Sequence, residues 1–154
     1  MHRGNIKLKQ KFRRLKLKKN YTPKVPKNED IEIYPNGIFN FFISKIIEDI
    51  EDGILQVKKS RINIEKWLQT HSKDLQSLNE NHLLSVNTRK PIIQAEINPG
   101  HFEIIDGNHR FEKAFREGKK SIASYKLYVE DLLPYFYDKR GYEAFIRYWN
   151  SKLS

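Results

Sequence analysis

The sequence predicts an α+β fold, a small mixed β-sheet flanked by helices, with a basic N-terminal arm in front of it. Its 154 residues suit one domain with its own core. Stretches that alternate apolar and polar residues, as strands do, are interspersed with stretches that repeat apolar residues at helical spacing. Residues 1–27 hold eleven of the 29 Lys and Arg residues and none of the 19 acids, so the domain predicted over residues 28–154 is nearly neutral.

The basic arm, residues 1–27, is predicted to be flexible. It ends in Thr-Pro-Lys-Val-Pro, and prolines disfavour helix. Its dense positive charge also opposes a helix in isolation. We expect it to become ordered on a partner, with DNA or RNA first, because attraction to phosphates does not depend on sequence. A membrane surface, an acidic protein or a passive tail are alternatives.

The first half of the domain contains one strand and two helices by pattern. Residues 31–34 alternate as a strand does, and Pro35-Asn36-Gly37 ends it. A helix follows, and Gly53 is its expected stop. The apolar face of that helix consists of Phe39, Phe42, Ile43, Ile46, Ile47 and Ile50. A second helix is predicted from residue 63 to residue 71 or beyond, whereas residues 76–90 are polar and unassigned.

The second half begins with a predicted hairpin. In residues 91–97, Ile93, Ala95 and Ile97 lie on one face, and Gln94 and Glu96 lie on the other. Residues 98–101 form the turn and residues 102–105 return.

A helix from residue 108 to 116 follows, with Phe111, Ala114 and Phe115 facing inward and a stop at residues 117–118. A strand comes next, with Ala123, Tyr125, Leu127 and Val129 alternating. In the aromatic C-terminus, residues 142, 145, 146 and 149 have helical spacing, which favours packing in the core or on a protein partner over stacking on bases.

The candidate site is the turn Asp106-Gly107-Asn108-His109-Arg110, between a strand and a helix. The first N–H groups of a helix have no partner within it, and the helix dipole adds positive charge, so an anion is favoured there. Gly107 allows close backbone approach, and Asn108 is a candidate cap of the helix. His109 and Arg110 add donors, and arginine holds two phosphate oxygens at once. The turn is therefore predicted to bind a phosphate.

A Pro-Ile-Ile strand, a return strand Phe-Glu-Ile-Ile-Asp-Gly and the following Asn-His-Arg helix resemble the ParB/sulfiredoxin superfamily. The resemblance spans residues 91–129, and more loosely residues 29–129. It implies that the turn binds the phosphates of ATP or a related nucleotide. Sulfiredoxins have a cysteine at the position of Asn108, so their sulfinic-acid repair is excluded. Partition ParB proteins read GERR here and add a long DNA-reading domain. The free-serine kinase branch, with DGHHR, is the most similar in the turn.

Phosphotransferase or NTP hydrolase activity would need charge neutralisation, usually a divalent ion, and a carboxylate base. Asp106 is the candidate ligand for Mg²⁺, or else it stabilises the turn. His109 is a candidate catalytic residue that contacts the phosphates. The candidate base is Glu32, by its position on the first strand, and Arg89 and Lys90 are further candidate phosphate contacts.

Two other functions stay open from the sequence. One is a DNA-associated protein of the ParB type, regulatory or weakly nucleolytic, that uses the basic arm. An HNH-like metal site from His101, Asp106 and His109 would belong to this class, although the proline and spacing of that motif are missing. The other is an interaction module without catalysis. The oligomeric state is not determined by the sequence.

The composition also excludes some chemistry. There is no cysteine, which excludes disulfides, thiolate zinc sites and cysteine nucleophiles. No stretch approaches the roughly 18 apolar residues of a membrane helix, and the N-terminal lysines are not followed by an apolar stretch. We therefore expect a cytoplasmic protein without a membrane span.

Overall fold

The computed structural model describes residues 12–27, 31–34, 39–71 and 90–153. They belong to two compact units, each made of separate stretches of chain. The first unit comprises Met1–Gln56, Glu96–Glu103 and Tyr128–Ser154, and the second comprises Val57–Ala95 and Ile104–Leu127. Strands and helices occur in both units, so the α+β class predicted from the sequence is confirmed.

The secondary structure consists of short strands and helices. In chain order they are β1 (Ile33–Tyr34), β2 (Phe41–Phe42), α1 (Ile43–Glu51), β3 (Lys58–Asn63), α2 (Ile64–Thr70), β4 (Ile92–Asn98), β5 (His101–Asp106), α3 (Asn108–Arg116), β6 (Ser121–Leu127), α4 (Val129–Leu132), a 3₁₀ turn (Leu133–Tyr135) and α5 (Lys139–Ser151).

Helix α1 begins later than its apolar pattern predicts. Phe41 and Phe42 form β2 and pair antiparallel with β1, so the backbone there is extended and the helix begins only at Ile43. Pairing with another strand overrides helical periodicity because it satisfies the same backbone groups. Ile43 and Ile46 are buried as predicted.

The larger sheet has four strands in the order β3-β6-β4-β5. Strand β6 is antiparallel to β3 and parallel to β4, which makes the sheet mixed, as the sequence predicts. Strand β3 was not predicted. It lies at an edge of this sheet, and only Ile62 of its six residues is buried, so it carries little apolar alternation. Positively charged residues are common on such edges.

Strand β4 is buried on both of its faces. The sequence places Gln94 and Glu96 on the face opposite to the apolar residues, and every residue from Ile92 to Ile97 is buried. The amide of Gln94 donates to Ser124 Oγ at 2.9 Å within the second unit. In the first unit, the Glu96 carboxylate accepts from the backbone N–H groups of Gly100 and Val129. These bonds satisfy polar groups that are costly to bury alone.

The predicted inward direction of Phe115 is wrong, and the burial of β6 does not follow its apolar alternation. In β6 the buried residues include Ile122 and Ser124, whereas Ala123 and Tyr125 are only partly covered. Phe115 is 42% exposed at the end of α3. A repeat of apolar residues does not show which face is covered, and here the neighbouring strands decide it.

The aromatic C-terminus forms core, as its spacing predicts. In α5, Tyr142, Phe145, Ile146 and Trp149 are all buried. Phe145 packs against the ring of Phe136 with centroids 5.0 Å apart. This burial excludes these four side chains from stacking on bases.

Residues 12–27, which we call the docked segment, lie in the first unit without helix or strand. Asn150 of α5 holds the backbone of Leu15 by two bonds, from Leu15 N to Oδ1 at 2.7 Å and from Nδ2 to Leu15 O at 2.9 Å. The N–H of Lys18 donates to the hydroxyl of Tyr142 at 2.8 Å. Tyr21 stacks on Tyr142 with centroids 3.8 Å apart. The sequence predicts this stretch as part of a flexible arm, yet the structure gives it defined contacts to α5, which use its backbone and Tyr21 rather than its charges.

A fully buried carboxylate connects the docked segment to α1. Asp49 accepts from Lys24 Nζ at 2.9 Å and from the hydroxyl of Tyr135 at 2.7 Å, and Lys45 Nζ lies 3.0 Å from its other oxygen. Burial alone would raise the pKa of Asp49, but these three donors outweigh burial and hold the pKa below its ordinary value of 3.8.

Several predictions concern residues outside those described, namely the arm residues 1–11, the turn at residues 35–37, any extension of the second helix beyond residue 71, and Arg89. Lys90 is described and is exposed. None of the helices within the described ranges has the length and apolar composition needed to cross a membrane.

We predict that Asp49→Asn lowers the free energy of unfolding by about 3 kcal/mol at neutral pH, because the buried ammonium group of Lys45 and the partly exposed one of Lys24 lose their counter-charge. Since the pKa of Asp49 is lowered in the folded state, its contribution is present above the ordinary carboxyl pKa and is lost as pH falls through the folded value. The difference between the two proteins should therefore shrink below about pH 4 in urea denaturation.

Asp52→Asn is the matched control, since this carboxylate is half exposed and lies 3.6 Å from Lys27 Nζ. It should cost at most about 0.5 kcal/mol. Equal losses for the two variants would contradict the role given to Asp49.

Candidate functional site

The turn at residues 106–110 lies in the second unit, between the end of β5 and the start of α3. Gly107 joins them with φ +98°, in the left-handed region that favours glycine. A Cβ atom there would lie 2.6 Å from Ile92 Cγ2 and 2.8 Å from Arg110 Nη2. The space beside Gly107 that was expected to admit a phosphate is thus used on this side by Ile92 and the Arg110 guanidinium.

The Arg110 side chain is held over the turn. Its Nη2 donates to Asp106 Oδ2 at 2.9 Å and to the carbonyl oxygen of Pro91 at 3.3 Å. The side chains of Asp106 and Arg110 are only 16% and 14% exposed, so this ion pair is largely shielded from water. Of the two roles predicted for Asp106, the observed contact is the one that stabilises the turn.

Part of the Arg110 guanidinium has no partner among the described residues. Its Nε is buried and makes no hydrogen bond to them. A buried N–H without a partner costs free energy, and an arginine has five N–H groups in a fixed fork. The guanidinium therefore keeps donor capacity beyond its bonds to Asp106 and Pro91.

The helix α3 begins differently from its prediction. Gly107 is the N-cap residue and makes no side-chain cap, while Asn108 is already the first helical residue. The predicted cap by Asn108 is thus wrong, because the left-handed glycine makes the turn one residue earlier. The first intrahelical bond runs from Phe111 N to Gly107 O at 2.9 Å. The backbone N–H groups of residues 108–110 consequently have no acceptor within the helix.

His109 and Arg110 are both half-buried in the first turn of α3. Successive residues of an α-helix project roughly 100° apart around its axis. The imidazole therefore leaves the helix in a different direction from the guanidinium.

Glu32, the predicted base, lies in the first unit and comes just before β1 rather than within it. Its side chain is exposed, and its backbone N–H is bonded by Ser44 Oγ. The structure brings Gly107, Asn108, His109 and Arg110 together as one turn with Asp106. Glu32 belongs to a separate unit.

In the alternative metal site predicted from His101, Asp106 and His109, the first two residues are paired with other side chains. His101 Nε2 lies 2.7 Å from Glu103 Oε1 in the first unit. Asp106 is paired with Arg110 in the second. His71 of the second unit, which the sequence did not single out, is half-buried and stacks on Trp67 with centroids 3.8 Å apart.

Two cavities in the second unit lie away from the turn. The larger, of about 620 Å³, is lined by residues of α2 and by Phe115, Gly118, Lys119 and Lys120. The smaller, of about 290 Å³, is lined mainly by β3 and α2. None of the residues 106–110 contributes to either.

One buried carboxylate on α3 was not predicted from the sequence. Glu112 is 1% exposed, and its Oε1 accepts from Arg116 Nε at 2.6 Å. The spacing of four residues between Glu112 and Arg116 was the signal in the sequence, since such residues are neighbours on a helix.

We predict that Gly107→Ala lowers the free energy of unfolding by about 1–3 kcal/mol more than Gly118→Ala does. Gly118 also has a left-handed φ, of +74°, but nothing lies within 4 Å of the Cβ it would gain. Both variants therefore suffer the unfavourable left-handed backbone. The difference between their free energies of unfolding in urea measures the collision of the new Cβ with Ile92 and Arg110. Equal losses would show that this close approach does not constrain the turn.

Comparisons of the chain with protein-family models, with curated proteins and with solved structures found no match. Any function must therefore follow from the residues of the two units themselves.

Proposed function

We propose that the turn at residues 106–110 binds a phosphate group of a nucleotide such as ATP. The observation that carries the proposal is the Arg110 guanidinium, which is fixed at the start of α3 and has a buried Nε with no partner among the described residues. A fixed guanidinium loses little freedom when it binds an anion. The backbone N–H groups of the first turn and the helix dipole add to the attraction.

Asp106 has a positioning role in this proposal. Its Oδ2 anchors Arg110 Nη2 and so sets the direction of the guanidinium. The same carboxylate also opposes a bound anion, because its charge offsets that of Arg110. Binding of a polyphosphate therefore depends on the backbone donors, on His109 and on a counter-ion.

A magnesium ion suits this turn only together with bound phosphates. Asp106 is the single carboxylate of the turn, and its ion pair with Arg110 uses Oδ2, which leaves Oδ1 outside that pair. Mg²⁺ is usually bound in proteins through one or two carboxylates and the phosphates of the substrate. Asp106 would hold the ion, which would supply charge neutralisation at the phosphates.

Phosphotransferase or NTP hydrolase activity is the further step of this proposal. It requires a carboxylate that accepts a proton from the nucleophile. Glu32 stays a candidate base on its position in the sequence alone, and His109 is the candidate donor to the phosphates.

We predict that ATP raises the melting temperature of the wild-type protein and that Arg110→Gln abolishes this rise. Saturation at a hundred times Kd is worth about 2.7 kcal/mol of stability. Arg61→Gln is the matched control: this exposed arginine of the second unit bonds Ser121, and the charge change is the same. Arg110→Lys should bind weakly, since it keeps the charge but not the fork.

A series of nucleotides shows whether the phosphates or the base account for the binding. With and without Mg²⁺, ATP and ADP should stabilise more than AMP, and adenosine should have no effect. Each shift is measured against the same variant without ligand, so a lower starting stability does not mimic lost binding. The proposal fails if Arg110→Gln responds to ATP as the control does, or if adenosine stabilises as well as ATP.

A second candidate function is binding of DNA or RNA by the docked segment. Its contacts to α5 use backbone atoms, including the carbonyl oxygen of Arg13, which accepts from Trp149 Nε1 at 3.1 Å. The cationic side chains remain outside: Arg13, Arg14, Lys16, Lys18 and Lys19 are all exposed. A row of fixed cations suits a polyanion, and binding of this kind weakens steeply with salt.

We predict that changing these five cations to Gln makes the binding of duplex DNA less sensitive to salt. In a plot of log affinity against log salt concentration, the slope should become shallower by up to about 4.5, because each lost phosphate contact removes about 0.9. Fluorescence anisotropy with labelled DNA and RNA measures it. Lys58→Gln with Lys59→Gln, two exposed residues of β3, is the control. An unchanged slope would exclude the docked segment as the nucleic-acid binding site. If the protein binds neither a nucleotide nor a nucleic acid, it fits the interaction module without catalysis.

A further inference from the structure

The first unit contains a cavity of about 450 Å³ that is separate from the turn at residues 106–110. Its lining comes from β1, the hairpin of β4 and β5, and α5. The residues that line it are Tyr34, Phe39, Ile97, Asn98, Glu103 and Tyr148. Three of the six are aromatic and one is a carboxylate, a composition that differs from an ordinary apolar gap.

The aromatic rings of the cavity are held by neighbours from different elements. The centroids of Phe39 and Tyr148 are 5.3 Å apart with the rings inclined at 43°. Phe39 also packs edge-on against Phe145 at 5.6 Å. The hydroxyl of Tyr148 donates to Asn98 Oδ1. The two rings therefore have fixed directions, so little side-chain freedom is lost when a ligand binds against them.

The third ring belongs to Tyr34 of β1 and is held by β2. It stacks on Phe41 with centroids 6.0 Å apart and the rings inclined at 16°. Burial raises the pKa of Tyr34, and the negative charge of Glu103 raises it further. Glu103 and Tyr34 therefore line the same cavity, and the charge of the carboxylate is felt at the Tyr34 hydroxyl.

The Glu103 carboxylate gives the cavity its charge. Its Oε1 lies 2.7 Å from His101 Nε2, which fixes the carboxyl group and leaves Oε2 outside that contact. The side chain is 34% exposed, so it lies at the wall rather than deep in the core. A single fixed acid beside aromatic rings attracts a cation and repels a phosphate.

One ring of the cavity already has a cation on a face. The ammonium nitrogen of Lys152 lies 5.1 Å from the centroid of Tyr148. The negative face of an aromatic ring attracts cations at this range. That face of the Tyr148 ring is therefore already used by the protein itself, and a bound ligand would contact the rest of the ring.

We propose that this cavity binds an alkylated ammonium group. Metal ions need several oxygen or nitrogen ligands, whereas Glu103 is the one carboxylate of the lining and the Oδ1 of Asn98 already accepts from Tyr148. An alkylated ammonium ion has apolar methyl groups that pack on rings, and its diffuse charge interacts with ring faces and one carboxylate. A volume of about 450 Å³ lies within the range of small-ligand sites. The group belongs either to a small molecule such as choline or to a methylated lysine side chain.

The test compares choline with its neutral isostere dimethylbutanol, in which carbon replaces the nitrogen. Both carry three equivalent methyl groups, so ligand-observed NMR titration of the full chain follows them in the same way. Choline should bind at least about fivefold more tightly, since the two differ only in charge. Equal binding of the two, or no binding of either, would overturn the proposal.

Variants locate the binding. Glu103→Gln and Tyr148→Leu should each weaken choline binding at least about fivefold. Tyr148→Phe keeps the ring and should keep most of the affinity. The controls are Glu130→Gln and Tyr137→Leu, which change an exposed acid and an exposed ring outside the cavity. Weakening by the controls as large as that by the cavity variants would overturn the assignment to this site.

A second pair of ligands distinguishes the source of the ammonium group. Acetylated trimethyllysine amide is compared with acetylated lysine amide. Tighter binding of the trimethylated compound than of choline supports a protein side chain as the natural ligand. Tighter binding of choline supports a small molecule.

Discussion

The first unit depends on a buried negative charge. The Asp49 side chain is fully buried, and a carboxylate without counter-charges in such a place is strongly unfavourable. Its three partners come from different parts of the chain: Lys45 from α1 itself, Tyr135 from the 3₁₀ turn and Lys24 from the docked segment. Satisfying one carboxylate thus fixes three segments of the same unit.

The docked segment shows how a strongly basic stretch is ordered without losing its charge. Its backbone bonds to Asn150, Trp149 and Tyr142 satisfy polar groups that would otherwise need water. The cationic side chains are not used in these bonds and stay at the surface. The same aromatic residues that build the core of the first unit therefore also hold the positive charges in place.

The turn in the second unit is governed by a steric constraint. Gly107 has a left-handed backbone and leaves no room for a Cβ atom between Ile92 and Arg110. The Arg110 guanidinium is then directed by Asp106 and the carbonyl oxygen of Pro91. The start of a helix, a position that favours anions, is thereby combined with an internal ion pair between Asp106 and Arg110.

The sequence by itself determined the features that depend on neighbouring residues. The hairpin of β4 and β5, the helix α3 that follows Gly107 and the buried face of α5 were predicted, because strand alternation, helical spacing and turn residues are local signals. Only the tertiary structure decided where α1 begins, that β4 is buried on both faces, that residues 12–27 pack on α5 and that Arg110 pairs with Asp106. It also decided that Tyr34, Phe39, Glu103 and Tyr148 line one cavity. Most of these outcomes depend on residues far apart in the chain, and the Arg110 pair depends on how Gly107 bends the backbone, so no local pattern encodes them.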